Sequence, residues 1–302
     1  MSILSRERNA ESGVFGGCRQ EAIMQRIHFY KMTGTGNDFI VIDNRKRIID
    51  ADHCHDFVRG VCRPRVSIGA DGVILIENDP DVDFRWRVFN SDGSEPEMCG
   101  NGARCAARFA YLTGIVDMPR MSFRTRAGII SAELLDTKVK VQMPAPRDLR
   151  RNLEADLKGR PFALDFINTG VPHAVCFLKN EKKLNSINIA RLGHALRNHE
   201  SFHPEGTNVD FAFIENSHRL SVRTYERGVE GETLACGTGA IASALLAAVR
   251  GQVESPVDVR VRSGETLTVY FRKTDGSVPF EDVCLEGNVL VVYEADLWPE
   301  AI

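Results

Sequence analysis

The sequence contains no apolar run near the length of about 20 residues that a membrane-spanning helix needs. Its first 23 residues also lack the apolar core of a secretory signal, and their three glutamates argue against a transit peptide. An excess of one charge is missing as well, because 38 basic and 41 acidic residues leave a formal net charge of -3. These absences argue against a membrane protein and give no electrostatic reason to expect nucleic acid or an anionic membrane as a partner.

Cysteine pairs with the spacing Cys-X-X-Cys are absent, although the chain has 8 cysteines. Without such pairs and without a signal sequence, we expect a reducing, cytoplasmic location. One segment, "DHCHDFVRGVC", gathers His53, Cys54, His55 and Cys62 and raises the question of a metal site. Adjacent side chains point in different directions on a helix, so this spacing is poor for a single ion, and we expect no metal.

Nucleotide-binding fingerprints are missing too. The glycines of "GTGND" and "CGNG" complete neither the dinucleotide-binding pattern nor a phosphate-binding loop. The sequence therefore gives no reason to expect a nucleotide cofactor.

Regular patterning begins only at Met24, with "MQRIHFYKMTG". Residues 1–23 are predicted to be a disordered extension, or to precede a translation start at Met24. We divide the rest into an N-terminal half, residues 24–146, and a C-terminal half, residues 147–277 with 278–302, whose final strand is a candidate to pair with the N-terminal half. Prolines and charges interrupt the pattern at "PAPRDLRRN", residues 144–152, where we expect a hinge.

The sequence does contain an internal repeat. Residues 84–102, "FRWRVFNSDGSEPEMCGNG", resemble residues 220–239, "LSVRTYERGVEGETLACGTG". Both have a strand-like alternation, then a polar loop with Gly and Glu, then Cys-Gly-X-Gly. Four matched pairs, separated by 136 to 138 residues and all in the same order, are Glu77 with Glu215, Arg87 with Arg223, Cys99 with Cys236, and Gly128 with Gly264. The chain is therefore predicted to consist of two similar halves.

The same secondary structure is predicted in each half. Alternating runs such as "FIVID", "GVILIE", "RWRVFN" and "KVKVQM" predict half-buried strands. A helix is predicted after each Cys-Gly-X-Gly, and glycine favours its end at Gly114 in one half and Gly251 in the other. The second helix is apolar on nearly all sides and should be buried. We therefore predict an α/β (α+β) fold of two pseudo-symmetric halves, each a β-barrel-like sheet around a central helix, with the active site in the cleft between them.

A cysteine is predicted at the start of both central helices. One such cysteine would more often be a small buried residue, but a structural role does not explain why Cys99 recurs as Cys236. Two helix N-termini that face each other would offer backbone N–H groups to one carboxylate, and the glycines beside Asn101 and Thr238 would let it approach closely. A thiol on each side of the neighbouring carbon suits inversion by two bases. We expect the helix field to bring the thiol pKa towards neutrality.

Other interpretations of the cysteines stay open on these residues alone. A disulfide between Cys99 and Cys236 is geometrically conceivable, although a reducing location disfavours it as the working state. A cysteine hydrolase would pair one thiol with one histidine and would leave the second thiol unexplained. A binding protein that lost turnover would need no thiol on either side. Cys105 has no cysteine counterpart, since its equivalent is Ala242, and we expect it to be a packing residue.

The segments "GTGNDFIVID", "FNSDGSEPEMCGNGARCAARF", "PEGTNVDF" and "YERGVEGETLACGTGA" resemble the diaminopimelate epimerase family over about residues 24–297. The resemblance implies an isomerase that works without pyridoxal phosphate or another cofactor. It would interconvert LL- and meso-diaminopimelate in the biosynthesis of lysine and of peptidoglycan precursors. It also implies a cytoplasmic homodimer that acts on a small molecule. A racemase for another amino acid, such as proline or histidine, is the close rival.

The resemblance also implies roles for residues at matching positions. Cys99 and Cys236 match the two bases, and His173 and Glu226 match the pair that assists their proton balance. The residues that match substrate-binding positions are Asn37, Asn90, Gly100, Asn101, Asn208, Glu226, Arg227, Gly237 and Thr238. An arginine with asparagines can hold a distal carboxylate and a glutamate can hold an ammonium group, which favours a substrate with charges at both ends.

Three departures from the family pattern concern substrate binding. Val171 stands where many members have an asparagine that contacts the substrate, and Gly72 where some have glutamine. The loop "ERGVEGET" is one residue longer than the form common in the family. None of these departures touches the cysteine pair.

Overall fold

The computed structural model describes residues 26–157 and 159–302, so the predicted extension at residues 1–23 lies outside the described residues. The elements of the first half are β1 (Ile27–Gly34), β2 (Asn37–Asp43), α1 (Cys54–Val61), β3 (Gly72–Glu77), β4 (Phe84–Asn90), α2 (Gly100–Leu112), β5 (Arg120–Thr125), β6 (Gly128–Leu135) and β7 (Lys138–Gln142). The runs predicted as strands in this half are confirmed as β2, β3, β4 and β7.

The remaining elements follow in chain order. They are β8 (Arg147–Asp156), β9 (Pro161–Asn168), β10 (Pro172–Phe177), α3 (Glu181–Ser186), α4 (Ile189–Arg197), β11 (Asn208–Asn216), β12 (Arg219–Glu226), β13 (Gly231–Glu232), α5 (Gly237–Val249), β14 (Val257–Arg260), β15 (Thr266–Lys273), β16 (Phe280–Asn288) and β17 (Leu290–Leu297). Short 3-10 helices cover Ala51–His53, Glu200–Phe202 and Pro299–Ala301.

The two halves repeat one sheet topology, which confirms the predicted pseudo-symmetry. From β1 to β7, neighbouring strands pair as antiparallel, parallel, antiparallel, parallel, antiparallel and antiparallel. The series β9, β10, β11, β12, β14, β15 and β16 repeats these pairings in the same order. Each parallel step spans a helical connection, as a parallel strand pair requires.

Two strand contacts join the halves. Strands β7 and β16 pair antiparallel, with Leu285 opposite Val141. Strand β17, at the end of the chain, pairs antiparallel with β1, just as β8 pairs with β9 in the other half. The last strand of the chain therefore extends the sheet of the first half.

The chain crosses from one half to the other at residues 143–146, at the start of the predicted hinge segment 144–152, but the rest of that segment is a strand that begins at Arg147. Among the described strands, β8 pairs only with β9, so it is an edge strand whose charged side chains reach solvent. Bulges interrupt its register, and Asp148 and Asn152 have φ values of 56° and 54°. Charges and irregular spacing resemble a linker in sequence, but an edge strand tolerates both.

Each central helix is enclosed by the strands of its own half, as predicted. Helix α2 packs against β1, β2, β3, β6 and β7, and α5 packs against β9 to β12 and β14 to β16. Both helices stop as the glycines predict, with φ values of 68° at Gly114 and 71° at Gly251. Both begin at the first glycine of Cys-Gly-X-Gly, so these glycines form the first turn.

The main apolar cluster includes side chains of both central helices and continues from one half into the other. Separate clusters lie under α1 and under α3 and α4, which cover the outer faces of the two sheets. Strands β2 and β3 are therefore buried on both faces, which explains their nearly continuous apolar sequences. Within the described ranges, no helix is both long enough and apolar enough to span a membrane.

Candidate active site

The first turns of the two central helices meet where the halves join. Cys99 and Cys236 occupy the N-cap positions of α2 and α5 in extended conformations. A Cβ atom added at Gly237 would lie 3.7 Å from the Asn101 side-chain oxygen of the opposite helix and 2.9 Å from the Leu285 side chain. The two cysteine motifs are thus brought together from opposite halves.

Cys99 is half-buried beside residues of the first half. Its Sγ accepts a hydrogen bond from the backbone N–H of Gly102 at 3.4 Å and lies 3.9 Å from Oδ1 of Asn37. Asn37 in turn donates a hydrogen bond to the Asp71 carboxylate at 2.8 Å. Asp71 therefore orients a predicted substrate-binding residue, a role that its exposed loop sequence did not indicate.

Cys236 is buried at one end of a hydrogen-bonded series in the second half. Its Sγ lies 3.4 Å from the Thr238 hydroxyl, which is 2.9 Å from Nε2 of His173. The other ring nitrogen of this fully buried histidine is 2.7 Å from the Asp210 carboxylate, which also accepts a 2.7 Å hydrogen bond from Thr224. The hydrogen bonds therefore connect His173 to the thiol through Thr238.

The first half lacks this acidic arrangement. By strand register, apolar Phe39 in β2 takes the place of His173 in β10, and apolar Ile74 in β3 takes the place of Asp210 in β11. A Cβ atom at Gly72 would lie only 2.3 Å from the Phe89 carbonyl oxygen, so the backbone leaves no room for a side chain. The departure noted at Gly72 therefore has a steric reason in this chain.

Burial raises the pKa of both thiols, so the expected fall towards neutrality is not seen in the protein alone. For Cys99, burial is opposed by a backbone N–H and by the guanidinium of Arg104. For Cys236, burial is reinforced by the carboxylates of Glu226 and Asp210, which hold the thiol pKa well above its usual value. The sequence indicates the helix field, which lowers a thiol pKa. It does not show how deeply the folded chain buries each thiol, and this burial raises the pKa.

Glu226 is placed near both thiols, since its carboxylate raises the pKa of each. Burial raises the pKa of Glu226 itself, against hydrogen bonds from Thr233 and Cys236. The Thr233 hydroxyl donates to it at 2.6 Å. A carboxyl group whose pKa is raised by burial, and which lies beside two thiols, is equipped to exchange protons with them.

The other predicted substrate-binding residues hold the loops around the cysteines. Buried Asn208 donates to the Pro172 carbonyl at 3.0 Å and accepts from the Arg227 backbone N–H at 2.8 Å. The Arg227 guanidinium donates to the Glu205 carbonyl at 3.1 Å. In the first half, exposed Asn90 donates to a serine hydroxyl in the turn after β4.

Matching ion pairs brace the loop before each cysteine. Arg87 donates two hydrogen bonds to Glu95 at 3.0 and 2.9 Å, and Arg223 donates two to Glu232 at 2.7 and 2.8 Å. Paired contacts of this kind fix orientation as well as distance. The repeat matched the arginines, but the two glutamates, each four residues before its cysteine, were a further match in the sequence that was missed.

The histidines and cysteines near α1 are turned towards separate partners. Cys54 donates to the Asp50 carbonyl, whereas the His55 ring is 2.6 Å from the Gly93 carbonyl. In the part of the chain that the structure describes, no three His, Cys, Asp or Glu side chains form a cluster able to hold a metal ion.

Comparison with solved structures defines the fold class. A phenazine biosynthesis protein of the PhzF family from Bacillus anthracis has a TM-score of 0.72 and 15% identity, covering 91% of this chain and 100% of its own. A probable proline racemase from Agrobacterium radiobacter K84 has a TM-score of 0.67 and 18% identity, covering 91% and 95%. The chain therefore has the two-half α/β fold of PhzF proteins and proline racemases.

Sequence comparison identifies the family within that class. The diaminopimelate epimerase family model matches residues 29–148 and 166–279. A diaminopimelate epimerase from Aquifex aeolicus (strain VF5) is 46% identical over 288 residues, which is 91% of this chain and 99% of the relative. Another from Chlorobaculum tepidum is 41% identical over 270 residues, covering 88% and 99%. The chain belongs to the diaminopimelate epimerase family and thus to the isomerases.

Proposed function

We propose that this protein is a cofactor-independent diaminopimelate epimerase that uses Cys99 and Cys236 as its two bases. The observation that carries the proposal is the meeting of two cysteine-capped helix N-termini from opposite halves. One α-carbon of LL-diaminopimelate would lie between the thiols and would be inverted to give the meso isomer.

The helix N-termini account for binding and for stabilisation of charge. The unpaired N–H groups in the first turns of α2 and α5 would hold the carboxylate next to the reacting carbon. Among them are those of the pairs Gly100–Asn101 and Gly237–Thr238. Removal of the α-proton sends negative charge into this carboxylate, where preorganised N–H groups stabilise it.

The proton balance of the reaction requires both sulfurs. One thiolate takes the α-proton and becomes a thiol, while the opposite thiol gives its proton to the other face of the carbon and becomes the thiolate. After one inversion the two cysteines have therefore exchanged their protonation states, and the original states must be restored before the next inversion in the same direction. Glu226, and His173 through Thr238, are the groups that we assign to this exchange.

The distal end of the substrate would be held by the charged and amide groups around the cleft. We assign Arg227, Asn37, Asn90 and Asn208 to the distal carboxylate and amino groups. Glu226 can pair with an ammonium group. A substrate with a carboxylate and an ammonium group at each end uses this set more fully than proline or histidine would.

A substrate panel in deuterium oxide tests the proposed function. The reduced protein is incubated separately with LL-diaminopimelate, L-proline and L-histidine, with a sample lacking protein as the control. We expect the meso product and α-deuterium only with diaminopimelate. Absence of both with diaminopimelate would refute the proposal, and turnover confined to proline or histidine would identify a racemase for that amino acid.

We further propose that the enzyme is a cytoplasmic homodimer of lysine biosynthesis. Working thiols need reducing surroundings. The surface that we assign to the partner copy is the edge strand β17, which pairs only with β1 among the described strands. Its Leu290 and Val292 are 55% and 57% exposed, and an apolar edge with free backbone groups favours association.

A charge on β17 should weaken this association. Val292→Lys is expected to convert a dimer to a monomer in light scattering, because an edge lysine opposes pairing of sheet edges. Met118→Lys, at an exposed apolar residue of the first half, is the matched control and should leave the mass unchanged. A Val292→Lys protein that remains dimeric, or an unchanged protein that is monomeric, would contradict the assignment.

A further inference from the structure

Arg104 is a fully buried cation in the second turn of α2, close to Cys99. Its Nη2 donates 2.9 Å hydrogen bonds to the hydroxyl of Thr35, in the β1–β2 turn, and to the side-chain oxygen of Asn101. Its Nη1 donates to the Gly100 carbonyl at 3.3 Å. The guanidinium therefore ties the first turn of the helix to the turn that precedes Asn37.

This cation is incompletely compensated. Its Nε is buried without a hydrogen-bond partner, and no carboxylate of the described residues forms an ion pair with it. The close approach of Gly287 from β16 helps to enclose it, since a Cβ atom there would lie 3.1 Å from Nε. A buried unpaired charge costs stability. Because Arg104 lies beside the reacting groups, we looked for a role of its charge in the reaction that would explain this loss of stability.

The pseudo-symmetry shows that only one thiol has such a neighbour. The position equivalent to Arg104 in α5, counted from the cysteine, is Ile241, which is also buried. Near Cys236 the structure instead places the carboxylates of Glu226 and Asp210. The two halves match in backbone but differ in charge around their thiols.

We propose that Arg104 is a positioning residue that makes the two thiols unequal, so that Cys99 gives up its proton more readily than Cys236. The inference rests on the proposed two-base reaction. By holding Asn101, Arg104 also fixes one of the N–H groups and side chains that would receive the reacting carboxylate. Its charge adds to the field of the α2 N-terminus at that place.

The groups around Cys99 act on its thiol in opposite directions. Arg104 lowers the thiol pKa and Glu226, from the end of β12, raises it, while burial raises it most of all. Arg104 in turn faces Cys105 on its own helix and Glu265 from the loop before β15. Burial of Cys105 raises its thiol pKa to about 12, so this neighbour remains a neutral thiol.

Selective alkylation across a pH series tests the inference without substrate. Iodoacetamide reacts with thiolates, and mass spectrometry of the peptides follows Cys99 and Cys236 separately. In the unchanged protein, Cys99 should become reactive at lower pH than Cys236. With Arg104→Met, the Cys99 curve should move to higher pH and its rate at neutral pH should fall about tenfold, because a nearby cation favours the thiolate. The Cys236 curve should stay in place.

Two further variants separate charge from structure. Arg108→Met removes another cation of α2, one that contacts the carbonyls of Thr137 and Val289, and should leave both curves unchanged. Arg104→Lys keeps the charge but loses the forked contacts. It should preserve the Cys99 curve while raising KM for diaminopimelate severalfold, since Asn101 is no longer held.

A Cys99 curve that stays in place in folded Arg104→Met, or curves that shift equally for both thiols, would overturn the inference. Met is expected to be tolerated, because apolar replacement of a buried charge is often neutral. If that variant does not fold, Arg104→Lys decides, since a shift of its Cys99 curve despite the retained charge would also overturn the inference. Failure of the unchanged protein to invert diaminopimelate would instead refute the proposed function.

Discussion

Replacement of either helix-capping cysteine, as Cys99→Ala or Cys236→Ala, is expected to abolish inversion of diaminopimelate. The loss should be on the order of 10²–10⁴-fold or more, the usual worth of a positioned acid or base. Neither remaining thiol can reach both faces of the α-carbon, so one sulfur cannot replace the other. The rate of meso product formation from the LL isomer, followed by chiral chromatography, measures the effect.

The two one-thiol variants should differ in the stereoisomer whose α-proton they can still exchange with solvent. Each variant keeps a base on only one face of the α-carbon. It can therefore remove and return the α-proton of only one of the two configurations at that carbon. Cys105→Ala is the matched control, since Cys105 is buried on the same helix and packs in the core. It should keep its rate and lose only some thermal stability. Near-normal inversion by either one-thiol variant would show that the two-base assignment is wrong.

Gly239→Ala is expected to disrupt the buried series that ends at Cys236. A Cβ atom at this position would lie 2.3 Å from the Asp210 carboxylate and 3.1 Å from the Thr224 hydroxyl, so the carboxylate must move. The His173 ring then loses its fixed partner inside the protein. We expect kcat to fall at least about tenfold through misplacement of the reacting groups. Overpacking should also lower the free energy of unfolding by about 1–3 kcal/mol.

Enzyme kinetics and thermal unfolding of the same preparations measure these two effects. Gly276→Ala is the control, because the nearest atom to its added Cβ is a carbonyl oxygen 4.0 Å away and the residue lies far along the chain from the site. A folded Gly239→Ala protein with unchanged kcat would mean that the position of Asp210 does not matter to the reaction.

The architecture could be predicted from sequence because the same pattern of strands and helix occurs in both halves of the chain. Alternating strands such as β3 and β4, and the helix that follows each Cys-Gly-X-Gly, recur at a nearly constant separation. Local rules also gave the helix ends, since Gly114 and Gly251 adopt the left-handed conformation that glycine favours. Local rules failed at β8, where charges and bulges on an edge strand resembled a linker.

The charged residues behind the site were harder to find, because their roles depend on contacts between distant segments. Asp210 is a fully buried acid within the otherwise apolar run "VDFAFI", and this was a signal that could have been used. Arg104 similarly interrupts a row of small residues in "CGNGARCAA". What neither segment reveals is the partner, as with His173 for Asp210 and Thr35 for Arg104. The thiol pKa likewise depends on burial that only the assembled halves create.

The origin of the hydrogen at the inverted carbon tests the two-base reaction most directly. The reduced protein and LL-diaminopimelate are mixed in deuterium oxide, and product and remaining substrate are separated at low conversion. The proton delivered should come from the opposing thiol, which has equilibrated with solvent before substrate binds. We predict that the first meso product carries deuterium at the inverted carbon while the remaining substrate carries none. Early product that retains the original hydrogen at that carbon would contradict two opposed thiols.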